Sequence, residues 1–214
     1  MKAVKHTDTP KEGKGKKIIK KVAGLLGGKK TEKLPASNVK MIGMSESRAK
    51  KIKNSYNVKD PENAIVMTLS NGEVVIEMFE DVAPKHVDRI KELVRAEFYN
   101  GLKFHRVIDG FMAQTGCPYG TGTGGTGKKL KAEFSKTPHK RGTVSMARAG
   151  DPNSGDSQFF ICFNDCSWLD GQYTVWGEVI SGMDVVDRIK KGTGDNGMVS
   201  NPDEIIAMKI IADI

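Results

Sequence analysis

Phe104-His105-Arg106-Val107-Ile108-Asp109-Gly110-Phe111-Met112-Ala113-Gln114-Thr115 sets one arginine and one glutamine among apolar residues. In extended chain, positions two apart share a face. Phe104, Arg106 and Ile108 then point one way, and His105 and Val107 the other. Asp109-Gly110 is a turn signal, after which Met112 and Gln114 share a face with Phe111 opposite. A guanidinium beside apolar surface is costly unless it has a partner or a task. The alternative is an arginine whose stem packs while its head reaches water.

The pattern continues on both sides. Ala64 to Leu69 and Val74 to Phe79, joined through Asn71-Gly72, read as a hairpin. Ala83 to Val94 reads as a helix, with Pro84 in its first turn and Val87, Ile90, Leu93 and Val94 as its apolar stripe. Short strands are expected at Lys103 to Val107, Phe111 to Gln114, Thr143 to Ala147, Gln158 to Cys162, Val175 to Val179 and Ala207 to Ala212. A second helix is expected at Met183 to Lys190. Many short strands, two helices and no βαβ alternation predict a mainly β fold, a closed antiparallel barrel capped by helices.

Charge divides the chain. Residues 1–60 hold 17 Lys+Arg against 5 Asp+Glu, a net +12, while residues 61–214 hold 17 against 21, a net −4. The chain is therefore read as a basic, flexible N-terminal extension over 1–60 and a folded domain over 61–214. Such an arm suits nucleic acid or an anionic membrane, or serves only as a solvated extension. Within it, Lys16 to Lys30 is a short basic amphipathic stretch, too short and too lysine-rich to span a bilayer and poor as a secretory signal. The default expectation is a cytoplasmic protein.

Other chemistries find little support. Cys117, Cys162 and Cys166 are an odd count, which argues against a disulfide framework and for a reducing compartment. His6, His86, His105 and His139 have no ligand-like spacing, so no metal is expected. Gly122-Thr123-Gly124-Gly125-Thr126-Gly127-Lys128 has phosphate-loop glycines, but Lys129 stands at the Ser/Thr position and no apolar helix follows. A glycine loop beside a binding groove fits it better. No nucleophile elbow and no identifiable carboxylate pair occur.

Four segments remain: Phe111 to Gln114, Ser145 to Gly150, Ser157 to Ile161 and Trp168 to Gly171. With Phe104-His105-Arg106 they make the chain from about residue 61 onward resemble the cyclophilin family of peptidyl-prolyl cis/trans isomerases. The flavour is bacterial, as in Asp151-Pro152-Asn153-Ser154 and Tyr173 to Glu178. The resemblance implies an eight-stranded closed antiparallel barrel capped by two helices, one at each end, with a shallow groove on one outer face. It implies Arg106 as the catalytic residue, with Phe111, Met112, Phe160 and Leu169 lining a proline pocket. Gln114 and the Ala147-Arg148-Ala149 backbone would grip the peptide, Gln158 would support that grip, and His105 would neighbour the site. Trp168 would sit at the rim, as in members sensitive to the macrocycle cyclosporin. Gly122 to Gly125 would border a secondary pocket for the residue preceding the X–Pro dipeptide.

Two positions depart from the pattern. Tyr173 stands where many eukaryotic members have His, which implies altered macrocycle affinity. Arg148 stands where many have Asn, which places a second cation near the groove. The implied activity assists protein folding, acts on proline-containing peptides and unfolded chains, and needs no cofactor and no oligomer. The competing reading is a non-catalytic proline-peptide module tethered to nucleic acid or membrane by the arm.

Overall fold

The computed structural model describes residues 58–214, so the amphipathic stretch and nearly all of the basic arm lie outside the described residues. The strands are β1 (Ala64–Leu69), β2 (Gly72–Met78), β3 (Arg106–Ile108), β4 (Met112–Thr115), β5 (Thr143–Met146), β6 (Phe159–Cys162), β7 (Val175–Ser181) and β8 (Ala207–Ile210). Helix α1 spans Pro84–Arg95 and α2 spans Met183–Asp187. All eight strands form one antiparallel sheet in the order β3-β4-β6-β5-β7-β2-β1-β8.

One face of the sheet encloses the main core. Trp176 and Phe159 meet edge to face at 5.4 Å, and Tyr99 meets Phe159 at 5.5 Å. The stripe of α1 covers this core, with Val87, Ile90, Leu93 and Val94 all buried. Ala83 gives α1 no side-chain cap. The Glu133 carboxylate supplies one instead, accepting from the Lys85 and His86 N–H groups at 3.1 and 3.0 Å. That satisfies two donors that a helix start leaves open.

Several expectations are corrected. The hairpin loop is Ser70-Asn71, one residue earlier than expected; Leu69 pairs with Gly72, which begins β2 at φ +147°. β3 starts only at Arg106, and Phe104 turns into the main core beside Val107. Burying a phenylalanine is worth about 1.5–3 kcal/mol, which outweighs strict alternation over a short irregular run. α2 ends at Asp187 because the Lys190 N–H goes to the Asp203 carboxylate, at 2.8 Å, and not to a helix carbonyl. β8 ends at Ile210, and a 3-10 turn over Ile211–Asp213 carries Asp213 to Arg95.

The expected closure is only partly present as a ladder. β3 and β8 stand at the two ends of the order and pair with no common register. Between them, Gly101 N–H bonds Ile205 O at 2.6 Å and Phe104 N–H bonds Asp203 O at 2.9 Å, with an isolated bridge from Lys103 to Glu204. The outer edge of β3 is covered by a glycine-rich loop: Val107 N–H bonds Gly197 O, and Gly192 N–H bonds Val107 O.

Candidate active site

β3, β4 and β6 lie side by side, and their registers align the site. Arg106 pairs with Gln114, and Gln114 pairs with Phe160. On the far side of the sheet from the main core, Met112, Phe160, Cys162, Cys166 and Leu169 form a second apolar cluster with Phe111, Ala147 and Tyr173 against it. Above it opens a hollow of about 160 Å³, walled by Phe111, Met112, Phe160, Leu169 and Tyr173 and bordered by Arg106. Phe111 thus joins Met112 in one wall rather than opposing it, because it precedes β4 and belongs to the turn.

Arg106 is half-buried and fixed at three points. Its Nε donates to the Asn196 carbonyl at 2.9 Å, and one terminal nitrogen donates to Gln114 Oε1 at 3.2 Å and lies 4.0 Å from Met112 Sδ. The other terminal nitrogen has no protein acceptor among the described residues. Arginine has donors only, so Gln114 must turn its oxygen to it. The Gln114 amide nitrogen then donates to Gln158 Oε1 at 3.0 Å. Gln158 in turn donates to Gly122 O and Gly124 O at 2.8 and 2.7 Å.

That chain ends at a second hollow of about 260 Å³, bordered by the Gly122 to Gly125 loop and sharing Gln114, Ala147 and Arg148 with the first. The glycines let the loop pack closely: a Cβ on Gly124 would lie 2.6 Å from the Tyr119 ring, and one on Gly125 2.6 Å from the Asp156 carboxylate, so either side chain would have to shift. The loop folds over Cys117, whose sulfur accepts from Gly122 and Gly124 N–H. Burial opposes ionisation of that thiol, but the loop N–H groups outweigh it and hold the thiol below its ordinary range.

The residues singled out in the sequence fall into three groups. Arg106, Phe111, Met112, Gln114, Phe160, Leu169 and Tyr173 meet at the first hollow, while Gln158, Ala147, Arg148 and Ala149 border the second. Trp168 is 58% exposed, tilted against Phe111 at 5.6 Å, and lines neither hollow. His105 is buried under Gly122, with neither ring nitrogen hydrogen-bonded, a place behind the loop that borders the site. Burial holds its pKa below the ordinary histidine value. The Ala147 and Ala149 N–H groups are already bonded, to Gln158 O and Ser154 Oγ. Arg148 N–H is therefore the free backbone donor of that stretch among the described residues.

Sequence reasoning missed two supports. Asn196 acts through its carbonyl, which leaves no side-chain signature. His139, passed over as an isolated histidine, bonds Asp170 at 2.9 Å and Ser145 at 3.0 Å and stacks on Phe160 at 6.3 Å. It ties the Trp168-Leu169 turn to the floor of the first hollow. Its partner Asp170 stood in a motif already noted. Among the described residues no three His, Cys, Asp or Glu side chains converge as a metal site.

Comparison with known proteins places this arrangement. The family described as cyclophilin type peptidyl-prolyl cis-trans isomerase/CLD matches residues 64–210. A probable peptidyl-prolyl cis-trans isomerase of Brucella suis biovar 1 (strain 1330) is 55% identical over 167 residues, covering 72% of this chain and 85% of that protein. A peptidyl-prolyl cis-trans isomerase of Helicobacter pylori (strain ATCC 700392 / 26695) is 47% identical over 146 residues, covering 64% and 89%. Cyclophilin AquaCyp293 from Hirschia baltica superposes with a TM-score of 0.65 at 29% identity, covering 72% of this chain and 76% of that one. A Cryptosporidium parvum cyclophilin-type isomerase, crystallised in the presence of the dipeptide Ala-Pro, gives 0.63 at 28% identity, covering 69% and 98%.

Proposed function

The chain belongs to the cyclophilin-type peptidyl-prolyl cis-trans isomerases, and we propose that Arg106 drives its reaction on X–Pro bonds whose proline ring enters the smaller hollow. The observation that carries this reading is the fixed guanidinium beside an apolar wall, with one terminal nitrogen uncommitted. Rotation about X–Pro must break amide resonance, a barrier of about 18–20 kcal/mol. In the twisted state the proline nitrogen becomes pyramidal and regains a lone pair. A donor already in place can bond that lone pair only then, so it binds the transition state better than either planar isomer. The apolar wall holds the ring and strengthens the contact by excluding water. Lowering the barrier by about 5.5 kcal/mol gives about 10⁴-fold. No bond is made or broken to the protein, and no cofactor takes part.

Phe111, Met112, Phe160 and Leu169 seat the ring, Gln114 and Arg148 N–H hold the peptide, and Gln158 keeps both in register. Tyr173 closes the end of the hollow and Trp168 offers a rim for larger ligands, including macrocycles of the cyclosporin type. The seam contacts between 101–104 and 203–205 support reading the sheet as a closed barrel that holds β3, β4 and β6 rigid. The three buried thiols suit a reducing compartment. The +12 arm favours an additional tether to nucleic acid or anionic membrane.

The test is prolyl exchange in a short Ala-Pro peptide, followed by NMR, for the full chain and for Arg106→Ala. Catalysis should fall about 10²- to 10³-fold in the variant, with its circular dichroism spectrum unchanged. A folded wild-type chain without catalysis would leave the non-catalytic peptide module as the function.

A further inference from the structure

The groove and the body carry opposite charge. Residues 61–214 hold a net −4, yet the two hollows are bordered by three cations, Arg106, Arg148 and Lys129, against one carboxylate, Asp156. None of the three makes an ion pair among the described residues. Arg106 bonds a carbonyl and an amide oxygen. Arg148 bonds the carbonyls of Gln172, Ala149 and Gly150 and lies 4.5 Å over the Tyr173 ring. The Lys129 ammonium is exposed and has no partner among the described residues.

Asp156 does not cancel them. One of its oxygens accepts from the Thr126 hydroxyl and the other from Gly127 N–H at 2.7 Å. Thr126 in turn accepts from the buried Arg89 at 2.6 Å, an arginine already ion-paired with Glu92, so Asp156 keeps its charge and stands as one carboxylate against three cations. Asp151, on the adjoining turn, caps Asn153 N–H and does not line the hollow.

The route of a bound peptide follows from the shared wall. If Arg106 reaches the proline nitrogen, that nitrogen lies on the Gln114 side of the smaller hollow. The chain preceding proline must leave across Gln114, Ala147 and Arg148, which are the residues shared with the larger hollow. We infer that the larger hollow selects an acidic side chain on the residue preceding the X–Pro dipeptide, with Lys129 and Arg148 as the specificity-determining cations. This rests on the reading of Arg106 and of the smaller hollow above. Opposite charges meeting in a partly water-excluded hollow favour the acidic peptide by about three- to tenfold in kcat/KM, less at high salt.

The experiment uses the full chain and four peptides of one length. Three differ only at the residue preceding X–Pro, carrying Glu, Ala or Lys there, and the fourth moves the Glu to follow proline. NMR exchange gives kcat/KM, and chemical-shift titration gives Kd separately. The expected result is Glu over Ala over Lys at low salt, compressed at high salt, with no gain for the moved Glu. In Lys129→Glu the Glu-to-Lys ratio should fall toward one or reverse. Equal constants for Glu, Ala and Lys, or a ratio unmoved by Lys129→Glu, would overturn the inference. Failure of the Ala peptide to be turned over would instead strike the isomerase reading, and the titration would still decide the charge preference.

Discussion

His86 and His105 are both buried, and burial pushes the pKa of each below the ordinary histidine value. For His86 the Glu133 carboxylate, 2.6 Å away, pulls the other way without overcoming it. A depressed native pKa means that the unfolded chain binds these protons more readily. The stabilisation is therefore complete above about pH 6.5, the ordinary value, and is lost as pH falls below it. Urea midpoints at pH 7 and pH 5 should show the lower value at pH 5, with a smaller drop in His105→Gln. Equal midpoints would refute the assignment. The polar chain from Arg106 through Gln114 and Gln158 has a different consequence. Its first member can only donate and its last, two carbonyls, can only accept. Neither amide can flip alone without facing donor to donor or acceptor to acceptor, so the groove presents one hydrogen-bonding pattern.

The loop over the outer edge of β3 is the element that fixes the Arg106 guanidinium on its strand. It supplies the Asn196 carbonyl to Arg106 and bonds β3 on the side away from β4. Gly197 makes this approach possible: its φ is +67°, and a Cβ would lie 2.4 Å from Ile108 Cγ1 and 3.0 Å from Val107 O. Gly197→Ala should push the loop outward and release Arg106, lowering kcat/KM about tenfold while costing about 1–2 kcal/mol of stability. Activity unchanged in a folded variant would mean that Gln114 alone positions the guanidinium. This loop was not legible in the sequence, since it acts through backbone atoms. The β1–β2 hairpin and the stripe of α1 were legible because period-two and helical patterns there run long enough to outweigh local accidents. The alternation in β3 was not, because Phe104 obeys the core and only three residues remain in register. Of the groove, Arg106, Gln114, Phe160 and Gln158 could be found from motifs. The inward turn of His105 and the His139–Asp170 support depend on contacts between distant segments.

At the scale of the molecule, one main core fills the inner side of the sheet and a smaller apolar cluster lies beneath the groove. Seven ladder pairings link every neighbour from β3 to β8, with register shifts only in β2–β7 and β5–β7, while the return from β8 to β3 is made by scattered contacts. A structure opens first where fewest cooperative bonds must break together. Here that place adjoins the strand that bears Arg106. On slow warming, isomerase activity should be lost several degrees before the near-ultraviolet signal of the buried Trp176, and amides at 101–108 should exchange with solvent ahead of those in β1 and β2. Coincident loss of activity and signal would show that the seam is as cooperative as the ladders. In its expected form, heat inactivation of this enzyme is a local event, reversible on cooling, because the core that would have to refold has never come apart.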